Sequence, residues 1–314
     1  MKKVGLALGG GTAKGLAHIG ILEVLEKNNI KIDYLSGTSM GAVVAALYSS
    51  GMPIKDLKKI ALTTKWENLV DFTLPDKGIL SGDKIETFLR VLLKNKKFKD
   101  LRIPLRVVAA DVYKGEKVIF KKGDVASSLR ASISLPSIFV PHEYNGRVLV
   151  DGGVVDPVPV DIVKSMGADI VIAVDLSVPL KDVIVSSKTE KSKKFLKKIE
   201  KKMIEQEIEE INKYVAKKKN LPWIIKNILE HPEKIVGFFK RHKLKGPKLL
   251  RITSNSFSIM VNELSKYSLL NADYVIKPDL IGISKFDFGS VPSIIRKGSS
   301  ATKNSIKVIK KLIK

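Results

Sequence analysis

Tyr34-Leu35-Ser36-Gly37-Thr38-Ser39-Met40-Gly41-Ala42-Val43-Val44 decides how the rest of the chain is read. A short strand, Tyr34 to Ser36, runs into G-x-S-x-G, and an apolar helix runs from Met40 to Ser50. That is the strand-turn-helix setting of a nucleophile elbow. Gly37 and Gly41 flank the serine because the turn is too tight for side chains there. Ser39 then stands at a helix start, where the helix dipole favours developing negative charge. Gly51 stops the helix, with Pro53 just beyond.

Upstream, the apolar run Val4 to Leu8 predicts a buried strand, and helical spacing through Leu16, Ile19, Leu22 and Leu25 predicts a helix over 13–28. Between them lies Gly9-Gly10-Gly11-Thr12-Ala13-Lys14-Gly15. It fails the dinucleotide fingerprint, because Lys14 stands where the third glycine belongs. It also fails the P-loop pattern, because Leu16 and Ala17 follow Gly15. What remains is a turn of exposed N–H groups at a helix start, able to hold an anion or an oxyanion.

Downstream, the expected elements are a helix from Ser81 to Leu93, strands at 105–110, 117–120 and 148–150, a helix at 159–166 and a strand at 170–175. Strand and helix alternate, which predicts a three-layer α/β/α fold with a mostly parallel central sheet. Composition shifts near Val178. Residues 181–248 carry 20 Lys and Arg against 9 Asp and Glu, a net of +11 in a chain whose total is +24. Residues 191–219 have a helical apolar period with a charged opposite face. Residues 221–239 gather Trp223, Ile224, Ile228, Phe238 and Phe239 among lysines, the ingredients of an interfacial helix. After Lys248 the α/β character returns, with a helix at 259–270, a strand at 274–276 and a lysine-rich helix to the last residue. The expected organisation is a catalytic domain of residues 1–178 and 249–314, interrupted by a basic, mainly helical insertion at 179–248.

Composition narrows the chemistry. With no cysteine, disulfides, thiolate metal sites and a cysteine nucleophile are excluded. The four histidines, His18, His142, His231 and His242, are scattered, so a three-histidine metal site is not expected. None of them stands where a triad base belongs. The best carboxylate candidate is Asp151, in Val150-Asp151-Gly152-Gly153, at the C-terminal end of an expected strand, the edge where sites gather in open α/β sheets. The strong positive charge calls for an anionic partner, nucleic acid or membrane. Aromatic residues are 6% of the chain and form no known nucleic-acid module, so nucleic acid is not expected. The longest uncharged stretch, 34–54, is too punctuated by Gly and Ser to span a bilayer. A cytoplasmic protein that meets the membrane from its inner face is expected.

GGGTAKG, GTSMG and DGG, in that order, resemble the patatin-like phospholipases, in particular the bacterial branch related to neuropathy target esterase. The block 131–139, with Ser132, Pro136 and Phe139, is similar to the family's segment before its aspartate. The resemblance covers roughly residues 3–175. It implies a Ser-Asp dyad with Ser39 as nucleophile and Asp151 as base, and an oxyanion hole from the N–H groups of Gly9, Gly10 and Gly11, with Met40 as a further donor. Gly37, Gly41, Gly152 and Gly153 complete the motifs. No metal or cofactor is implied. The family often has arginine where this chain has Lys14; lysine keeps the charge and loses the planar fork. The expected activity is hydrolysis of fatty acyl esters of a phospholipid or lysophospholipid through an acyl-enzyme. An acyltransferase using the same dyad, or a non-enzymatic basic regulator, stands as the alternative. The insertion is open among a membrane-docking surface, a lid and a homodimer contact.

Overall fold

The computed structural model describes residues 2–69, 71, 80–178, 246–284 and 286–314. Its strands are β1 (Val4–Leu8), β2 (Tyr34–Thr38), β3 (Leu105–Asp111), β4 (Glu116–Phe120), β5 (His142–Tyr144), β6 (Arg147–Asp151), β7 (Ile170–Val174) and β8 (Tyr274–Ile276). The α-helices are α1 (Ala17–Lys27), α2 (Met40–Ser49), α3 (Ile54–Thr63), α4 (Asp83–Leu92), α5 (Val125–Ser132), α6 (Val160–Ser165), α7 (Gly246–Ser268) and α8 (Val291–Ile313).

One sheet runs β5-β6-β3-β2-β1-β7-β8, with β4 also paired to β3. The stretch β3-β2-β1-β7-β8 is parallel. The flank formed by β4, β6 and β5 is antiparallel. β1 and β7, at the centre of the parallel stretch, are apolar and buried on both faces, as a sheet covered on both sides requires. Their side chains divide by the period of two. Leu6, Leu8, Ile172 and Val174 join the larger core, packed by α1, α2, α3, α5 and α8. Ala7, Val171 and Ala173 face the opposite layer with Val160 and Val163 of α6, and Leu269 and Ala272 pack against it. This is the expected three-layer arrangement.

α8 lies against α1 at van der Waals contact of the backbones. A Cβ on Gly20 would collide with the Ile295 carbonyl, and one on Gly298 with the Ala17 carbonyl. Ser299 Oγ donates across the crossing to the Gly20 carbonyl at 3.2 Å.

Several elements depart from expectation. Residues 12–16 form a tight 3-10 turn before α1, because the backbone must leave the glycine loop first. α4 is capped by the Asp71 carboxylate, which accepts from the N–H groups of Gly82 and Lys84 at 2.9 Å each. Ser81, expected as the cap, accepts only a longer bond from Asp83 N–H at 3.3 Å and donates its hydroxyl to Asp71. α7 begins at Gly246 rather than near residue 259. All but the last three residues of the expected insertion, including Trp223, Ile224, Ile228, Phe238 and Phe239, lie outside the described residues. Among the described residues no helix is long and apolar enough to cross a membrane.

Candidate active site

Register brings Ser39 and Asp151 to one level. Thr38, the last residue of β2, pairs with Val108 of β3, so Ser39 emerges beside Ala109. Across β3, Ala109 pairs with Asp151. The two residues therefore flank one strand, two strand spacings or roughly 9–10 Å of backbone apart. The direction of β6 is not what brings Asp151 to this edge, contrary to the expectation from its strand end. β6 runs antiparallel to β3, so its C-terminal end points away from the edge at which the parallel strands end. Asp151 reaches the site because β2 stops short, at the level of Val108.

Ser39 has φ 54° and ψ −128°, a conformation that side chains rarely adopt. Such a residue costs on the order of 1–3 kcal/mol and persists only where its surroundings over-determine it. Here they do. A Cβ on Gly41 would strike the carbonyls of Leu8 and Gly9, and one on Gly37 would lie 2.6 Å from Ala42 Cα. Both glycines are thus required by close approach. The Ser39 N–H donates to the buried Ser132 Oγ at 2.8 Å. Thr38 Oγ1 donates to the Asp156 carbonyl and Ser36 Oγ to the Pro159 carbonyl, each at 2.7 Å. Ser132 lies in a block the sequence singles out, but its partner is visible only in the fold.

Asp151 is 2% exposed. Its Oδ1 accepts the Gly153 N–H at 2.8 Å, while Oδ2 is buried without a hydrogen bond of ordinary geometry. Burial pushes the carboxyl up to about 6, against the opposing pull of the Ser39 hydroxyl and the Gly153 N–H. A carboxylate held short of hydrogen bonds beside a serine hydroxyl is a basic one. Gly152 passes under the Val108 carbonyl, where a Cβ would collide. Beside Gly153 pack Phe257 and Val261 of α7, so α7 walls the turn that follows Asp151.

The glycine loop lies against the elbow, with Gly10 next to Ser39 Cβ and Gly15 next to Met40. Two of its expected oxyanion donors are already committed. Gly9 N–H donates to the Val174 carbonyl at 3.1 Å and Gly10 N–H to the Pro157 carbonyl at 3.0 Å. Gly11 and Met40 form no N–H bond to the backbone among the described residues and remain available, as does Thr12. The strand end at Val174 and the 156–159 strap consume the first two donors, and neither contact is legible in the loop's own sequence.

Two buried titratable groups lie in or against this loop. His18 is fully buried, and burial lowers it to about 4, so the ring is neutral near pH 7. Its Nε2 lies 2.8 Å from the Gly9 carbonyl. A carbonyl only accepts, so Nε2 carries the proton and Nδ1 does not. His18 therefore steadies the loop and is not a base for Ser39. His142 is engaged elsewhere, with Nε2 2.8 Å from Ser127 Oγ. Lys14 is 7% exposed and makes no ion pair among the described residues; burial lowers it to about 8. It supplies a desolvated positive charge beside the loop.

Two further buried acids are paired. Asp156 Oδ2 takes a 2.6 Å ion pair from Lys117, and Asp175 takes one of 2.7 Å from Lys277. Arg130 is a buried clamp, donating to Ser134 Oγ at 2.6 Å, to the Val140 carbonyl at 2.7 Å and to the Ser81 carbonyl. Among the described residues no three His, Asp or Glu side chains gather as metal ligands would.

Known proteins share sequence and fold with this chain. A family model described as patatin-like phospholipase matches residues 6–164, which hold both Ser39 and Asp151. An uncharacterized NTE family protein of Mycobacterium tuberculosis is 36% identical over 177 residues, covering 56% of this chain and 49% of that protein. The human patatin-like phospholipase domain-containing protein 6 is 32% identical over 181 residues, 55% of this chain and 13% of that one. Lysophospholipase NTE1 of Pyricularia oryzae is 35% identical over 181 residues, 56% of this chain and 12% of that one. The chain thus matches about half the length of the mycobacterial relative and a small part of the other two. The crystal structure of VipD from Legionella pneumophila shares the fold, with a TM-score of 0.59 over 98% of this chain and 67% of that one at 15% identity. With a family model spanning more than half of its length and containing the elbow, the glycine loop and the aspartate together, this chain belongs to the patatin-like phospholipase family.

Proposed function

We propose that the protein is a serine lipid acyl hydrolase acting on phospholipid or lysophospholipid esters. The observation that carries this reading is a serine on a strained elbow beside a desolvated carboxyl. Ser39 Oγ attacks the ester carbonyl carbon as its proton passes to Asp151. The tetrahedral oxyanion is held by the N–H groups of Gly11 and Met40, with the Lys14 charge nearby. Collapse expels the alcohol, which takes the proton back from Asp151 and leaves an acyl group on Ser39. Asp151 then deprotonates a water that attacks the acyl-enzyme. The fatty acid leaves, and the proton returns to Ser39. A single oxyanion donor of this kind is worth on the order of 10²–10³ in rate.

The lysophospholipase name of one relative favours a single-chain lipid as substrate. The basic segment 181–248 would bring the enzyme to an anionic bilayer, and liposome co-sedimentation of a variant lacking it tests that part separately. The catalytic reading is tested by release of fatty acid from a lysophospholipid and by hydrolysis of p-nitrophenyl butyrate. Wild type should turn over both, and Ser39→Ala neither. Retained turnover in Ser39→Ala would overturn the assignment.

A further inference from the structure

The residues of α8 include six cations, Arg296, Lys297, Lys303, Lys307, Lys310 and Lys311, and no acid. Lys297 pairs with Asp279 at 3.5 Å. The other five are exposed and form no ion pair among the described residues, and exposed Lys314 follows them. At 100° per residue, Arg296, Lys303, Lys307, Lys310, Lys311 and Lys314 fall within a stripe roughly 100° wide and about 27 Å long. The opposite face holds Ile294, Gly298, Thr302, Ser305 and Ile309, all buried against the core. The stripe therefore points straight out from the molecule.

Solubility does not explain this pattern. A solvated helix face usually mixes both signs, with acids placed to pair with bases one turn away. Here Lys303–Lys307 and Lys307–Lys311 are like-charge i,i+4 pairs, and Lys307–Lys310 is an i,i+3 pair, all of which oppose helix formation. The helix dipole rewards cations only in the last turn, which accounts for Lys310 and Lys311 but not for Arg296 or Lys303. The neighbouring α1 offers no relief. Its Glu23 is taken by Lys27 and Lys58, and its Glu26 accepts from the Tyr48 hydroxyl at 3.5 Å and forms no ion pair with α8 among the described residues. A flat row of unneutralised cations, held against its own repulsion, is complementary to a flat anionic surface. No aromatic residue lies in the stripe to stack on bases. Val308, 46% exposed, lies at its margin as a small apolar contact.

We infer that α8 is a docking surface for an anionic lipid bilayer, independent of the basic segment 181–248. The choice of a bilayer over another polyanion rests on the lipid-hydrolase reading. α8 is joined to the site through close backbone packing. Gly298 and Gly20 lock α8 to α1, and α1 continues from the glycine loop beside Ser39. α8 begins near that loop and ends at the far edge of the sheet, where Lys2 Nζ donates to the Leu312 carbonyl at 2.8 Å. With the stripe on the membrane the strands run along the surface.

The test uses the full chain and a triple variant, Lys303→Gln with Lys307→Gln and Lys310→Gln. Binding is measured by co-sedimentation with phosphatidylglycerol–phosphatidylcholine vesicles, with pure phosphatidylcholine vesicles and duplex DNA as controls. Each lysine near an anionic surface contributes enough that losing three lowers the partition coefficient roughly a hundredfold. Wild-type binding should weaken with added salt. Hydrolysis of the soluble ester p-nitrophenyl butyrate and the melting temperature should not fall, which separates docking from catalysis and from folding. Undiminished vesicle binding by the triple variant, absence of wild-type binding to anionic vesicles, or a preference for duplex DNA would each overturn the inference. Failure of Ser39→Ala to abolish ester hydrolysis would instead strike the catalytic reading.

Discussion

Replacing Asp151 by asparagine should make the protein more stable while removing its activity. The carboxyl titrates near 6 in the fold against an ordinary 3.8, because burial opposes its charge. The folded state therefore holds more protons than the unfolded chain between those values. Stability contributed by this group is complete below about pH 4, declines as pH rises through the window and is lost above about pH 6. The ionised form costs the fold about 3 kcal/mol near neutral pH, from 1.36 kcal/mol for each pH unit between the two values. Asparagine keeps the Oδ1 acceptor for the Gly153 N–H, presents a donor to Ser39 Oγ, and carries no charge to desolvate. In urea unfolding at about pH 7.5 the variant should gain up to about 3 kcal/mol, and the gain should vanish at about pH 4. In thermal scans of a chain of 314 residues this is an upward shift of roughly 4–5 °C. A variant no more stable than wild type near neutral pH would refute the reasoning. So would a gain that persists unchanged at about pH 4, because the stabilisation would then not come from the carboxylate's charge.

The same groups shape the pH profile. kcat/KM should rise through about 6 as Asp151 loses its proton and fall through about 8 as Lys14 loses its charge, and Lys14→Met should lower the plateau and erase the alkaline limb alone. Ser132→Ala removes the acceptor of the Ser39 N–H and leaves a buried donor unpaired. It should cost about 1–3 kcal/mol in denaturant unfolding and lower kcat more than it raises KM. Gly20→Val places atoms against the Ile295 carbonyl at the α1–α8 crossing; overpacking of this kind costs at least about 1–3 kcal/mol, read as a lower urea midpoint with unchanged slope.

Much of the site was legible because its constraints are local. G-x-S-x-G carries its own steric reasons, and the fold shows both glycines pressed against backbone. Asp151 was legible by its glycines, but the strand-end argument for it fails, since strand direction is set by pairing partners and not by the segment itself. The donor set of the glycine loop was legible only in part. Which N–H groups stay free depends on Val174 and Pro157, some 150 residues away in sequence. That His18 holds the Gly9 carbonyl is visible only in the fold. α3 carried a readable signal in Ile54, Leu57 and Ala61, all buried at helical spacing. α5 carried one too in Asp124, whose carboxylate caps it through the Ser127 N–H at 2.7 Å. β5 is three residues long and exists only because β6 pairs with it.

The central claim is that Ser39 is a nucleophile activated directly by Asp151. Mass spectrometry of the intact protein after brief exposure to a fluorophosphonate tests it most directly. One adduct should form, on the peptide containing Ser39; it should be absent from Ser39→Ala, and in Asp151→Asn it should form at least about a thousandfold more slowly, as loss of a serine nucleophile's base requires. An adduct on another residue, or labelling of Asp151→Asn at the wild-type rate, would contradict the account.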